Sequence, residues 1–237
     1  MPLELVISDL DGTILETEDY HRRAYNALFE ELKLAQRWSR QDYSDRLTTM
    51  GGEKFREVFD WLDRPEKEFE ETRKELYERK TKLYVSLIVA DLEAKKLPLR
   101  PGVARLFGEL GEHGIPLAVG SACVKWAALD VLRAALGEEF VGSLAAICAG
   151  DDVSRKKPDP EIYLLVAERC GVAPEHCLVI EDTAHGLQAA LKAGMTCVAT
   201  PSELALEDDF TGAHLLAESL EVPARIEVST LQGLLVG

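Results

Sequence analysis

The later part of the chain alternates short apolar runs with amphipathic helical patterns, and this alternation restricts the fold most strongly. Each run ends in small or polar residues, and Gly114, Gly171 and Gly194 stand where the intervening helices should end. Strands that alternate with helices form a parallel sheet covered on both faces. The pattern therefore predicts an α/β fold. Its strands include IPLAVGS (115–121), LAAICAG (144–150), CLVIED (177–182) and MTCVAT (195–200).

A first strand is predicted much earlier, at Leu3–Ser8, and a segment of different character separates it from the others. From about residue 16 to residue 97 the sequence is charged and amphipathic, with almost no strand signal. We therefore expect one α/β core, formed by residues 1–15 and 98–237, that is interrupted by a helical insertion at 16–97. We interpret the charge run of the insertion as a solvated helix face.

The composition restricts the partners that the protein can have. Its 237 residues carry a formal net charge of −15, which opposes attraction to nucleic acid and to anionic membranes. The sequence has no apolar stretch near the roughly 20 residues of a membrane span, and it starts without a signal-peptide pattern. Its five cysteines contain no CxxC pair, which indicates free thiols in a reducing compartment. We therefore expect a cytoplasmic protein without nucleic-acid or membrane partners.

Residues with reactive side chains follow the predicted strands, at the ends where open parallel sheets bind ligands. Asp9 and Asp11 leave the first strand in LVISDLDGTIL, although carboxylates are expensive to bury. Crowded carboxylates require a cation, and their hard oxygen atoms favour Mg²⁺. A lysine at the same edge would neutralise the remaining negative charge of a phosphoryl group. The residues at this edge are Asp9, Asp11, Ser121, Ala122, Lys157, Glu181 and Asp182.

These residues also have ordinary structural interpretations. A DG pair after a strand is often only a turn, and Ser121 can simply cap the following helix. Lys156 and Lys157 compete for one role. Arg155 and Lys156 are either surface charges or residues that bind a second anionic group. The residues by themselves leave these alternatives open.

The order of these motifs is typical of one superfamily. They are DxDGT at 9–13, the strand-terminal Ser121, Lys157 in KPDP, and the acidic pair Glu181–Asp182. Over nearly its whole length the chain resembles the haloacid dehalogenase superfamily of aspartate-nucleophile phosphotransferases. The resemblance implies a Rossmann-like parallel-sheet core with an inserted all-helical cap domain, and it implies a monomer.

The resemblance also implies catalytic roles. Asp9 would attack phosphorus and become an aspartyl phosphate, which divides a difficult displacement into two easier ones. Asp11 would protonate the leaving oxygen and then take a proton from the attacking water. Ser121 would donate a hydrogen bond to a phosphoryl oxygen. Lys157 would neutralise the developing charge and pair with Asp9.

A Mg²⁺ cofactor is implied by the same resemblance. An Asp9 oxygen, the main-chain carbonyl of Asp11 and the Asp182 carboxylate would hold the ion, and Glu181 would support them from close by. The chain departs from the superfamily pattern at Ala122–Cys123, where relatives often have a hydroxyl-rich run. This departure leaves the role of the preceding serine intact and affects the details of phosphate binding.

Four further stretches, in both the insertion and the core, make the resemblance specific to one branch of this superfamily. They are ETEDYHRRAYNALFEEL, LTTMGGEKFREVF, AGDDVSRKKPDPEIYLLVAERCGV and EDDFTGAHLLAESL. They are similar to a branch of sugar-phosphate phosphatases and β-phosphoglucomutases, and in particular to the CbbY family of xylulose-1,5-bisphosphate phosphatases. The resemblance implies a phosphatase for a small phosphorylated sugar. The alternative is a β-phosphoglucomutase-like mutase or another phosphosugar or phosphoglycolate phosphatase.

A bisphosphate substrate would need a second phosphate site in the cap. Gly52 lies in a Gly-Gly turn whose backbone N–H groups can bind an anion, and Lys54 and Arg56 follow it. A glycine helix start with ordinary surface cations is the alternative interpretation. His21 corresponds to a position near the cap hinge that faces the active site in relatives, and a structural histidine fits the sequence nearly as well.

Overall fold

The computed structural model describes residues 1–46 and 54–235. Its strands are β1 (Leu5–Ser8), β2 (Leu117–Gly120), β3 (Ile147–Cys148), β4 (Cys177–Glu181), β5 (Thr196–Ala199) and β6 (Leu215–Leu216). Its α-helices are α1 (Glu18–Glu31), α2 (Arg40–Ser44), α3 (Lys54–Trp61), α4 (Phe69–Glu93), α5 (Val103–Glu112), α6 (Lys125–Leu136), α7 (Glu138–Ser143), α8 (Glu161–Cys170), α9 (Ala184–Lys192) and α10 (Val228–Leu234). Short 3₁₀-helices cover Glu66–Glu68 and Pro174–His176.

Two compact units make up the chain. The core unit comprises Met1–Glu16 and Lys95–Gly237, and the insert unit comprises Thr17–Ala94. The described strands all belong to the core unit, whereas α1 to α4 form the insert unit. The helical insertion therefore follows the first strand of the sheet and precedes all the others.

The core unit is built on a parallel sheet with the strand order β3-β2-β1-β4-β5-β6. Every neighbouring pair runs parallel, and the side chains of β1, β2, β4 and β5 are buried on both faces. Ser8 of β1 pairs with Val119 of β2 and with Ile180 of β4, so the carboxyl ends of these strands meet at one edge. This arrangement confirms the predicted α/β fold with a parallel sheet.

Helices α8 and α9 are anchored to the sheet by apolar side chains. Leu5 and Ile7 are two residues apart in β1 and therefore share one face of the sheet. They belong to the same buried cluster as Tyr163 and Val166 of α8 and Leu187 of α9. Each fully buried aliphatic side chain of this kind contributes about 1.5–3 kcal/mol. The packing thereby fixes the loops that precede these helices at the carboxyl edge of the sheet.

The insert unit has a core of its own, in which α1 packs against α4. Ala24 and Leu28 of α1 are fully buried, and Tyr84 and Ile88 of α4 are buried as well. The expectation that the charge run of α4 is a solvated face is wrong at Lys80, which is only 7% exposed. The reason is that the packing of α4 against α1 buries one side of the long helix.

Two expectations from the composition concern membrane-spanning segments and the state of the cysteines. No helix within residues 1–46 and 54–235 combines the length and the apolar character that a membrane crossing requires. The expectation of free thiols is confirmed for all the cysteines, namely Cys123, Cys148, Cys170, Cys177 and Cys197.

Candidate active site

Loops at the carboxyl edge of the sheet bring the predicted core residues together. Asp9 follows β1, Ser121 follows β2, and Glu181 ends β4 with Asp182 directly after it. Lys157 comes from the long loop between β3 and α8. The first four of these residues are at most 5% exposed. Burial of several carboxylates is unfavourable unless cations and hydrogen-bond donors accompany them.

Lys157 joins two of these carboxylates. Its Nζ donates hydrogen bonds to Asp9 Oδ1 at 2.5 Å and to Glu181 Oε1 at 2.7 Å. A third bond goes to the carbonyl oxygen of Gly120 at 3.1 Å. Burial opposes the charged form of Lys157, but attraction to Asp9 and Glu181 outweighs burial and raises the pKa of the lysine. Lys157 is therefore a cation held between two buried acids.

Both carboxylate oxygens of Glu181 accept hydrogen bonds. Oε1 accepts bonds from Lys157 and from the Tyr163 hydroxyl at 2.6 Å. Oε2 accepts bonds from the N–H of Asp182 and from the N–H and hydroxyl of Thr183, the N-cap of α9. Burial favours the protonated acid, but Lys157 and the other donors outweigh burial and lower the pKa of Glu181. The Glu181 carboxylate thus fixes the position of Lys157.

Two glycines allow the main chain to approach the acidic residues closely. A Cβ atom at Gly186 in α9 would lie 1.8 Å from the Glu181 carboxyl carbon. Gly12 has a φ of +82°, and a Cβ atom there would lie 2.0 Å from Asp182 Oδ2. Any larger residue at either position would displace the carboxylate that it touches.

Burial opposes the ionised forms of both Asp9 and Asp182. Burial raises the pKa of Asp182 well above its ordinary value, and the negative charges of Glu181 and Asp9 add to this effect. Thr13 Oγ1 donates a hydrogen bond to Asp182 Oδ1 at 3.2 Å. Burial likewise raises the pKa of Asp9 to about 8, despite the attraction of Lys157. A further cation beside these two carboxylates would favour their ionised forms.

The residues at this edge fit a hard divalent cation. Asp9 and Asp182 offer carboxylate oxygens and the main chain of Asp11 offers a carbonyl oxygen, which are the ligand types that Mg²⁺ prefers. Gly12 leaves the space beside Asp182 free of a side chain. Within the described ranges, no group of three or more His, Cys, Asp or Glu side chains forms a metal site by itself. The proposed magnesium ligands include only two such side chains, together with one main-chain carbonyl oxygen.

The loop after β2 contacts both Asp11 and Ser121. The Cys123 thiol donates a hydrogen bond to Asp11 Oδ2 at 3.0 Å, and the Cys123 N–H donates to Ser121 Oγ at 3.1 Å. Ser121 is fully buried, and its Oγ uses a lone pair to accept the Cys123 N–H, which leaves the hydroxyl proton for a second bond. Ser121 can therefore donate a hydrogen bond to a bound anion.

A cavity of about 10 Å³ lies beside Ser121, which is room for about one water molecule. Ala122, Lys156 and Lys157 are among its lining residues. Lys156 Nζ donates to the carbonyl oxygen of Gly150, and burial lowers the pKa of Lys156. The structure thus places Ala122 and both lysines beside the serine that was predicted to bind phosphate.

Arg100 is a part of this region that the sequence analysis missed. Its guanidinium donates hydrogen bonds to the carbonyl oxygens of Gly12, Thr200 and Pro201, and thereby ties the loop after β1 to the loop after β5. Its Nε lies 3.8 Å from the Glu16 carboxylate. The only signal in the sequence is one arginine in LPLRPG, and nothing local identifies carbonyl partners 88 to 101 residues away.

His21 forms a partly buried pair with Lys80 in the insert unit. Its Nδ1 lies 2.6 Å from Lys80 Nζ, and its ring stacks on Tyr84 with the ring centroids 4.1 Å apart. Because an ammonium group can only donate, His21 accepts this bond through Nδ1 and its ring is neutral. Burial and then the charges of Lys80 and Lys54 hold the pKa of His21 well below its ordinary value.

The other cap residues predicted from the sequence lie in different environments. Lys54 begins α3 and is only 8% exposed. Arg56 is at the surface, where its guanidinium pairs with Glu66 at 2.6 and 2.7 Å and with Asp60 at 3.2 Å. Gly52 lies outside the described residues.

Comparison with known proteins places the chain in a family. Residues 3–194 match the family model described as haloacid dehalogenase-like hydrolase. The chain is 39% identical to protein CbbY (plasmid) of Cupriavidus necator over 227 residues, which cover 94% of this chain and 87% of that protein. It is also 39% identical to the CBBY-like protein of Arabidopsis thaliana, over 92% of this chain and 69% of that protein.

A solved structure shows the same similarity. The crystal structure of a CbbY mutant from Rhodobacter sphaeroides, in complex with xylulose-(1,5)bisphosphate, matches with a TM-score of 0.81 and 31% sequence identity. The match covers 97% of this chain and 99% of that one. The chain therefore belongs to the haloacid dehalogenase-like hydrolase family and is a phosphatase related to the CbbY proteins.

Proposed function

We propose that this phosphatase removes a phosphate group from a small phosphorylated sugar in a Mg²⁺-dependent reaction, with xylulose 1,5-bisphosphate as the preferred substrate. The observation that carries the proposal is the 2.5 Å contact between Asp9 and Lys157 at the buried end of β1. It pairs a nucleophilic carboxylate with a fixed positive charge for the phosphoryl group. The similarity to CbbY proteins, one of which binds xylulose bisphosphate, supports the choice of sugar.

The first proposed step transfers the phosphoryl group to Asp9. A bond forms between an Asp9 carboxylate oxygen and phosphorus, while the bond from phosphorus to the sugar oxygen breaks. Asp11 gives its proton to that sugar oxygen, which leaves as a hydroxyl group. Lys157 and the Ser121 hydroxyl stabilise the negative charge of the phosphoryl oxygens.

Water completes the reaction by hydrolysing the aspartyl phosphate. Asp11 is now a carboxylate, and it takes a proton from the water molecule whose oxygen bonds to phosphorus. The bond between Asp9 and phosphorus breaks, which restores the Asp9 carboxylate and releases inorganic phosphate. Asp11 is then protonated again, so the cycle consumes only the phosphate ester and water.

Asp9, the main-chain carbonyl of Asp11 and Asp182 are the residues that would hold Mg²⁺. When bound, the ion neutralises negative charge on the phosphoryl group and between the two carboxylates. Glu181 is less suited to direct coordination, because its two oxygens already accept bonds from Lys157 and from the start of α9. We therefore assign Glu181 to positioning Lys157.

The insert unit carries a cationic cluster that suits the second phosphate of a bisphosphate. Lys54 and Lys80 are both buried, and Lys80 contacts the neutral His21. Charges in a low-dielectric environment attract anions more strongly than charges in water. We propose that this cluster binds the phosphate group that is not transferred in the reaction. Gly52 remains a further candidate for binding the same group. Arg56 is less suited because its guanidinium already pairs with acidic side chains at the surface.

The test is a measurement of phosphate release with Mg²⁺ for a panel of sugar mono- and bisphosphates and phosphoglycolate. We expect xylulose 1,5-bisphosphate to have the highest kcat/KM, and we expect chelation of Mg²⁺ to abolish the reaction. A matched assay with glucose 1-phosphate measures isomerisation to the 6-phosphate. Rapid isomerisation with little phosphate release would identify a mutase instead, and a better substrate in the panel would overturn the choice of sugar.

A further inference from the structure

Cys123 makes a contact in the candidate active site that the proposed chemistry does not yet use. Its thiol donates a hydrogen bond to Asp11 Oδ2 at 3.0 Å. Asp11 is the residue assigned to proton transfer, so the direction of its carboxylate determines which oxygen atom it can reach.

The backbone of Cys123 is hydrogen-bonded within its own loop and to the loop after β3. Its N–H donates to Ser121 Oγ at 3.1 Å, and its carbonyl oxygen accepts a bond from the N–H of Gly150 at 2.6 Å. A Cβ atom at Gly150 would lie 2.2 Å from the Ala122 carbonyl oxygen, so the loops after β2 and β3 are in close contact. The thiol therefore extends from a rigid support, which suits a group that orients another side chain.

We infer that Cys123 is a positioning residue that orients the Asp11 carboxylate for proton transfer through its S–H donor. This inference rests on the proposed function, since Asp11 has to be the acid and base of the reaction. Cys123 acts through Asp11 and exchanges no proton with the substrate. A thiol is a weak donor, and a serine hydroxyl can make the same bond, whereas an alanine side chain cannot.

The test compares Cys123→Ala and Cys123→Ser with the unaltered full-length enzyme. We expect Cys123→Ala to lower kcat about 10-fold with little change in KM, because part of the contribution of a general acid–base group depends on its orientation. We expect Cys123→Ser to keep kcat within about 3-fold, because its hydroxyl restores the donor. Cys170→Ala, at the last residue of α8, is the matched cysteine control and should leave kcat and KM unchanged.

The outcomes separate this inference from the proposed function. Asp11→Asn should abolish turnover, and if it does not, the proposed function itself fails. If Asp11→Asn is inactive while Cys123→Ala turns over like the unaltered enzyme, only the role of Cys123 is overturned. Equal loss of kcat in Cys123→Ser and Cys123→Ala would also contradict the inference, because rescue by the hydroxyl distinguishes a donor from a packing residue. Melting temperatures of all variants show whether each one is folded.

Discussion

Gly186 in α9 and the carboxyl group of Glu181 in β4 are in such close contact that a Cβ atom at position 186 would lie 1.8 Å from the carboxyl carbon. The first turn of α9 therefore packs directly against the acid that holds Lys157. This contact connects the backbone of a helix to the charge network of the site, because any shift of Glu181 moves the partner of the lysine.

We predict that Gly186→Ala lowers kcat by about 10-fold or more, because overlap with the new methyl group displaces Glu181 and disturbs Lys157. The same overpacking should lower the free energy of unfolding by about 1–3 kcal/mol. Steady-state kinetics and urea denaturation measure the two effects.

Gly108 in α5 provides the matched control for that substitution. It is a helical glycine, and apart from its chain neighbours and the backbone of its own helix, no described atom lies within 4 Å of the position of a Cβ. Gly108→Ala should leave kcat unchanged and raise the free energy of unfolding by about 0.5–1 kcal/mol, because alanine has the higher helix propensity. Normal activity in Gly186→Ala would show that the close approach to Glu181 has no role in catalysis.

Lys157 and Lys156 are adjacent in sequence but differ in their partners. Lys157→Met leaves Asp9 and Glu181 without their shared cation, so we expect kcat to fall by about 10²–10³-fold. The unpaired buried acids should also lower the free energy of unfolding by about 3–5 kcal/mol. Within residues 1–46 and 54–235, the hydrogen bond of Lys156 Nζ goes to the Gly150 carbonyl. Lys156→Met should therefore reduce kcat less than 10-fold and change the free energy of unfolding by at most about 1 kcal/mol. A larger loss of kcat at Lys156 would reverse this assignment.

For Lys80 in the cationic cluster of the insert unit, we predict that substitution weakens the binding of bisphosphates only. Lys80→Gln should raise KM for xylulose 1,5-bisphosphate by about 10-fold, because one charge-assisted bond to the distal phosphate is lost. Hydrolysis of xylulose 1-phosphate, which lacks that phosphate, should be unaffected. Arg56→Gln is the control and should change neither value more than about 2-fold, since its exposed ion pairs contribute little. Equal effects of Lys80→Gln on both substrates would contradict a role in binding the distal phosphate.

The lowered pKa of His21 predicts how the free energy of unfolding depends on pH. Its pKa is lower in the folded chain than in the unfolded chain, because burial and the nearby charges of Lys80 and Lys54 oppose protonation. Below a pH of about 6.5 the unfolded state therefore binds a proton that the folded state excludes, and stability falls by up to about 1.4 kcal/mol per pH unit. The loss continues until the pH reaches the lowered pKa of the folded state.

Urea denaturation at several pH values between 7.5 and 5.5 measures this effect, with His21→Asn as the comparison. The variant should lose less stability over this interval, by about 1 kcal/mol, because asparagine does not titrate. Parallel pH profiles for the two proteins would show that His21 is protonated to the same extent in the folded and unfolded states.

Residues that follow strands could be predicted from the sequence, because a strand and the acid after it are neighbours in the chain. Asp9 and Asp182 come directly after strands β1 and β4, and the parallel sheet then brings their loops to one edge. The order of the motifs supplied the family and with it Lys157. By contrast, β6 consists of only Leu215–Leu216, which is too short for a recognisable pattern.

Residues that act through packing could not be predicted. Tyr163 resembles an ordinary apolar position of a helix, and only the packing of α8 against the sheet brings its hydroxyl within 2.6 Å of Glu181. Gly186 resembles any small helical residue until α9 lies against β4. Lys80 belongs to a run of charges on α4, and its burial depends on the packing of α1. These roles depend on tertiary distances that local patterns do not contain.

The most direct measurement is rapid acid quenching during turnover of substrate labelled with ³²P, followed by identification of the labelled peptide. We expect the label on the peptide that contains Asp9, sensitive to hydroxylamine, and lost on a chase with unlabelled substrate. Asp9→Asn should show neither label nor turnover. Label on a different residue, or full turnover by the Asp9→Asn variant, would contradict the assignment of Asp9 as the nucleophile.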